Sequence, residues 1–173
     1  MSSARSFEAL VLPHLDAAYN LARWLVRDEH VARDVVQDSC VRALRYFDSF
    51  RGDQARPWFL AIVRNNCLSW IEAQCSQPEQ VELDVLETTA PVVQPGSDPL
   101  SLLEGQRQRL RVDTAIAALA PPFREVIVLR EIEGLAYAEI AAIADIPVGT
   151  VMSRLARARA ELKTALTEFR KQD

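Results

Sequence analysis

Leu135-Ala-Tyr-Ala-Glu-Ile-Ala-Ala-Ile-Ala-Asp-Ile-Pro-Val-Gly-Thr-Val-Met-Ser-Arg-Leu155 is the stretch on which the fold turns. Ile140, Ala141 and Ala144 place a small apolar face on a short helix, expected over Tyr137–Ala144. Asp145 stands at a tight turn, where a left-handed residue is wanted and Asp is tolerated. Ile146 is expected to plug the core, Pro147 to open the next helix, and Val151 and Leu155 to face inward. Small side chains at Ala141 and Ala144 let the two helices cross closely. This is the layout of a helix-turn-helix, whose second helix enters the major groove of DNA. Along that helix Ser153, Arg154, Arg157, Arg159 and Lys163 face mostly outward, against one acid, Glu161, between Val148 and Lys163. Arginine forks match guanine edges and phosphates with two hydrogen bonds at once, so DNA contact is the expected use of this helix.

Composition supports a helical chain. Among 173 residues, hydrophobic side chains make up 49% and charged ones 25%, with few Gly or Pro to punctuate strands. No apolar run approaches the length needed to span a bilayer, and the first residues do not read as a secretory signal. Cys40, Cys67 and Cys75 are odd in number and sit in helix-like segments, which suits reduced thiols in a cytoplasmic protein. The formal charge of −4 hides a division. Residues 1–64 carry nine Arg against eight acids, residues 65–106 carry seven acids and no base, and residues 107–173 carry eleven bases against nine acids. A nucleic-acid reader is judged by its patches rather than its total, so the acidic balance excludes little.

The acidic middle also holds Pro78, Pro91, Pro95, Gly96 and Pro99, with no sustained helical period. It reads as an extended linker over 74–106, between a first domain at 1–73 and a second at 107–173. The expected fold is therefore all-α: two small helical domains joined by an acidic tether. In the first, Phe7, Leu10, Val11, Leu15, Ala18, Tyr19, Ala22, Leu25 and Val26 form a helical stripe that Pro13 should split. A second helix, roughly 31–47, is expected to bury Val36, Cys40, Ala43, Leu44 and Phe47. A loop pivoting on Gly52 follows, and a third helix then starts near Pro57. Asp34, Gln37 and Asp38 share one face of the second helix at i, i+3 and i+4. Two acids four residues apart repel by roughly 0.2–0.5 kcal/mol on an isolated helix, so such a face invites a basic partner.

Taken together these segments resemble the extracytoplasmic-function (ECF, group 4) sigma factors of bacterial RNA polymerase. The stretch from Leu119-Ala-Pro-Pro-Phe-Arg-Glu-Val through Gly149-Thr-Val-Met-Ser-Arg-Leu-Ala-Arg resembles the family's promoter-reading region 4. Asp34-Val-Val-Gln-Asp38 with Val41-Arg-Ala-Leu44 resembles its polymerase-docking segment. Asp48-Ser-Phe-Arg-Gly-Asp53 followed by Trp58-Phe-Leu-Ala-Ile-Val-Arg-Asn65 resembles its promoter-melting segment. The resemblance implies a region 2-like and a region 4-like domain and an initiation factor rather than an enzyme, with no catalytic residue, metal or cofactor. It implies that Asp34, Gln37 and Asp38 meet the β′ clamp helices of core RNA polymerase, with further contacts to the β subunit. It implies that Phe50, Arg51, Asp53, Gln54 and Asn65 form a pocket for an unstacked base of the −10 element, with Asn65 reading a flipped base. Aromatic stacking is worth about 1–3 kcal/mol per base, comparable to the cost of unstacking one. In the second domain it implies −35 contacts from Thr150, Met152, Ser153, Arg154 and Arg157, beside Ala156. Many members carry a larger or basic side chain where this chain has Met152 and Ala156. An anti-sigma partner that occludes both domains, and no insertion into a membrane, complete the implied picture.

Other functional classes fit less well. No hydrolase elbow, phosphate-cradling glycine loop or zinc spacing occurs, and His14 and His30 stand alone. An operator-binding regulator or a pure protein-interaction module would leave either the Asp34/Gln37/Asp38 face and the aromatic loop, or the basic helix, without a task.

Overall fold

The computed structural model of the chain describes residues 2–52, 54–76 and 99–171. Helix α1 spans Ser2–Val11 and α2 spans Leu15–Val26, separated by a 3-10 turn at Leu12–His14. Pro13 forces that break, because its ring supplies no N–H and obstructs helix continuation. Arg27 ends α2 in the left-handed conformation, with φ 61° and ψ 24°. Asp28 then starts α3, Glu29–Tyr46: its side chain accepts the Val31 N–H at 2.8 Å, satisfying one of the donors left open at a helix start. A 3-10 turn at Phe47–Ser49 leads to the loop before α4, Ala55–Cys75, which holds Pro57 in its first turn.

Helices α2, α3 and α4 pack pairwise around Leu21, Phe59, Leu60 and Val63, all fully covered. Between α3 and α4 the contact is polar. Asn66 donates to the Ser39 hydroxyl at 2.7 Å, and that hydroxyl donates to the Val35 carbonyl at 2.6 Å. This chain of bonds explains a difference from the expected register. The buried face of α3 is Ala32, Val35, Ser39 and Ala43, with Val36, Cys40 and Phe47 at its margin and Leu44 53% exposed. A satisfied hydroxyl can be buried at little cost, so the small residues turn toward α4 and the larger Leu44 turns away. Leu10, expected in the first helical stripe, is likewise exposed.

The second block contains α5, Pro99–Ala118, and α6, Pro121–Ile127, which runs into a π turn at Val128–Ile132. Helices α7, Tyr137–Ala144, and α8, Val148–Lys171, complete it. The expected linker is thus shortened at both ends: α4 continues to Cys75, and α5 already begins at Pro99. Proline suits the first turn of a helix, so Pro99 opens α5 where it was taken to exclude one. The turn between α7 and α8 has the expected form. Asp145 is left-handed, with φ 53° and ψ 51°, and Ile140, Ala144, Val151 and Leu155 are buried.

The two blocks do not stand apart. Helix α7 lies against α4 and α6 against α2, and the buried apolar residues of both blocks form one continuous cluster. Blocks this small bury only a limited share of their apolar surface alone, and closing on each other covers more of it.

The Asp28 cap yields a test of the local reading. Asp28→Ala should lower stability by about 1 kcal/mol, seen as a lower urea midpoint at unchanged slope, whereas Asp28→Asn should retain most of it.

Candidate polymerase and nucleic-acid interfaces

Three surfaces carry the residues singled out in the sequence. On α3, Asp34, Gln37 and Asp38 are all exposed on one side, and neither aspartate pairs with a base among the described residues. The same side continues into Val41, 48% exposed, and Leu44, 53% exposed. An acidic patch thus runs into an apolar one, a combination that suits a partner helix with basic and apolar positions. Sequence reading placed Val41 to Leu44 in the docking segment but assigned Leu44 to the core, and the structure turns it outward. The available signal was the hydroxyl at Ser39, whose burial sets the rotation of the helix.

The second surface is the loop before α4 and the outer side of that helix. Phe50 is half-buried, its ring stacked on Phe47 at 6.2 Å and tilted against Trp58 at 4.8 Å. Phe7 meets Phe47 edge-on at 5.4 Å, so four rings anchor the loop. Gly52 fits beneath this cluster: a Cβ there would come within 3.2 Å of the Phe50 ring. Arg51 and Gln54 are exposed, and Asp53 lies outside the described residues. Asn65 is exposed on α4, ten residues beyond the helix start, or about 15 Å along its axis. The Phe50 ring packs on Trp58, which stands seven residues, or about 10 Å, before Asn65 along α4. Trp58 and Asn65, seven residues apart, share a helix face, and the loop and α4 together present an elongated strip. The neighbouring Asn66 is a structural residue, buried against Ser39.

The third surface is the start of α8. Met152, Ser153, Ala156 and Arg157 are exposed in a row, while Thr150 and Arg154 are half-buried. The Ser153 hydroxyl donates to the Thr150 carbonyl at 3.0 Å. Arg157 lies over the Phe123 ring at 5.1 Å and reaches Glu161 at 3.3 Å, contacts that hold its guanidinium at the helix surface. Arg159 donates to Glu131 at 2.6 Å, and its hydrogen bonding with Glu131 and then Tyr137 pushes its pKa upward. Both partners of that pair stay about half exposed. Short helix, left-handed turn and exposed basic helix together have the geometry of a helix-turn-helix reader.

Comparison with known proteins agrees with both halves. The family described as Sigma-70 region 2 matches residues 10–75, and that described as Sigma-70, region 4 matches residues 109–162. The ECF RNA polymerase sigma-E factor of Salmonella typhimurium is 37% identical over 160 residues, covering 90% of this chain and 83% of the relative. The same-named factor of Escherichia coli K12 is 36% identical over the same coverage. The chain belongs to the ECF sigma factors. Among solved structures, the sigma factor RpoE in complex with the anti-sigma factor NepR, from Bartonella quintana, matches with a TM-score of 0.72 at 28% identity, over 94% of this chain and 98% of that one. CnrH in complex with the cytosolic domain of CnrY matches with a TM-score of 0.66 at 28% identity, over 95% and 90%.

As a sigma factor the protein is a transcription initiation factor, not an enzyme, and it binds core RNA polymerase and promoter DNA. No described helix is long and apolar enough to cross a membrane, and no group of His, Cys, Asp or Glu among the described residues is arranged to hold a metal ion. The thiols differ sharply in setting. Cys67 is fully buried on α4, and burial, reinforced by Glu125, pushes its pKa up to about 12. Burial also raises Cys40, while Cys75 is exposed at the end of α4. In the native sigma factor, a disulfide reagent at pH 8 should label Cys75 first and Cys40 slowly, with Cys67 reacting only on unfolding. Mass spectrometry of the labelled peptides checks the order. Rapid labelling of Cys67 would contradict the packing of α4.

Proposed function

We propose that the first block reads and melts the −10 element and the second reads the −35 element, while the outer side of α3 docks on the polymerase. The observation that carries this reading is the joint exposure of three surfaces in one chain: the acidic-apolar face of α3, the strip from Arg51 to Asn65, and the row from Met152 to Arg157. Asp34, Gln37 and Asp38, with Val41 and Leu44, meet the β′ clamp helices through charge and apolar contact, and further contacts reach the β subunit. Arg51, Gln54 and Asn65 take the −10 strand, with Asn65 on the flipped base and Phe50 and Trp58 shaping the loop from within. Asp53 joins them on family resemblance alone. Thr150, Met152, Ser153, Arg154 and Arg157 meet the −35 duplex. Met152 and Ala156 offer apolar contact where charged side chains would offer hydrogen bonds, which favours thymine methyl groups in this protein's −35 sequence.

The factor acts in the cytoplasm, where polymerase and chromosome meet, and is held by an anti-sigma factor until needed. Support for that partner comes from the RpoE relative, solved with an anti-sigma factor and alike over nearly the whole chain. The acidic segment between the blocks serves as the tether. Its charge keeps it off duplex DNA and draws it toward positively lined channels.

Run-off transcription with purified core polymerase on a promoter library should give discrete starts that depend on this protein. Its failure to direct any start would remove the assignment. Asn65→Ala should spare polymerase binding yet impair open-complex formation by about tenfold, whereas reversing charge at Asp34 and Asp38 should reduce co-purification with core. Arg157→Ala should weaken −35 binding and lower the salt slope by about one unit if it contacts a phosphate.

A further inference from the structure

Two ion pairs that join the blocks, Arg64–Glu125 and Arg56–Glu133, have the same polarity. In each, the cation belongs to α4 and the carboxylate to the second block. Arg64 grips Glu125 through Nε and Nη2, and Arg56 meets Glu133 at 3.0 Å. Glu133 also accepts from Asn20 at 2.9 Å, and its carbonyl accepts from Arg56 at 2.8 Å. The carboxylates are almost wholly covered, at 6% and 7% side-chain exposure, and Arg64 retains 15%. The π turn and the left-handed Gly134 aim Glu133 across the junction: its N–H returns to the Val128 carbonyl at 3.0 Å, and Gly134 has φ 67°. A shallow cleft beside this contact brings Glu139 of α7 to Gln54 and His14.

Arg56 and Arg64 flank the strip assigned to the −10 strand. Arg56 follows the loop containing Arg51 and Gln54, and Arg64 immediately precedes Asn65. The two-pronged contact of Arg64 with a carboxylate is the same fork an arginine offers a backbone phosphate. We propose that Glu125 and Glu133 stand in for promoter phosphates, holding Arg64 and Arg56 so that the closed chain masks the backbone-binding cations of its own −10 surface. The inference rests on assigning α4 to the −10 element.

Geometry requires such a contact to open. Promoter elements some 25 base pairs apart are separated by about 85 Å of B-form duplex. A compact chain of this length has a radius of gyration of about 16 Å. The closed form cannot touch both elements, so α7 must leave α4, and phosphates replace the departing carboxylates. The strength of closure should then fall with salt, as ionic contacts do.

The test uses the full chain, small-angle scattering, and a labelled single-stranded DNA of mixed sequence. The E125Q/E133Q variant should expand, bind the strand about tenfold more tightly, and show a salt slope steeper by about 1.4 units, the value for two phosphates on a single strand. A variant that stays closed, or opens with unchanged affinity and slope, overturns the proposal. Should that variant lose helical structure, the charge swap R64E/E125R decides: it should remain closed like the parent and bind the strand more weakly. A folded swap that is open, or that binds as well as the parent, also overturns it. Core-dependent run-off by the unaltered protein is scored separately. Its absence would remove the assignment of α4, whereas normal run-off with unaltered strand binding in the variants removes the masking alone.

Discussion

Helix α4 serves three neighbours at once, and the rest of the molecule is arranged around that demand. One side, Phe59, Leu60, Val63 and Cys67, is sealed against α2 and α3. A second stripe, Arg56 and Arg64, receives the carboxylates of the second block. A third, with Asn65, is left to solvent. A helix with no polar-only face shows a weak amphipathic pattern, which is why its sequence reads as nearly uniform in apolarity. That uniformity is the physical signature of an element with partners on most sides.

Much of the fold could be read from local chemistry. Pro13 splitting the first helical stripe, Asp28 beginning α3, Asp145 in the left-handed turn and Pro147 just before α8 are all decided within a few residues. What local chemistry does not decide is rotation and closure. Leu44 points outward because Ser39, just before Cys-Val-Arg-Ala, finds its acceptor on α3 and its donor on α4, a relation between residues 27 apart. Closure depends on contacts such as Arg64–Glu125 and Arg124 with the Trp24 carbonyl, which link positions in different blocks. Arg64, Glu125 and Arg124, each viewed alone in the sequence, resemble solvated charges.

The candidate sites divide along the same line. The recognition helix follows from a compact motif, so its exposed row falls where the sequence places it. The base-reading surface was expected to be one pocket, and Phe50 and Asn65 were expected in it together. The rise of an α-helix puts Asn65 about 10 Å along α4 from Trp58, on which the Phe50 ring packs, and the aromatic cluster uses that ring for anchoring. The loop and the helix are consecutive in sequence yet form an extended track, a shape suited to a strand rather than a single base.

The choice of charge at the block junction has a thermodynamic logic. A buried ion pair commonly contributes no more to stability than apolar side chains of similar volume, because both groups must lose water. A junction with apolar residues in place of these pairs would leave still more apolar surface exposed on opening, a surface prone to association. Arginine and glutamate regain their hydration when separated, and the arginines can take a phosphate in place of the carboxylate. Arg124 reinforces this economy of contact: it holds the Leu119 carbonyl at 2.9 Å within its own block while donating to the Trp24 carbonyl at 3.2 Å across the junction. Burial, with Arg27 nearby, lowers its pKa. Closure built this way is specific in register and reversible, which is what a protein that must exchange one set of anions for another requires.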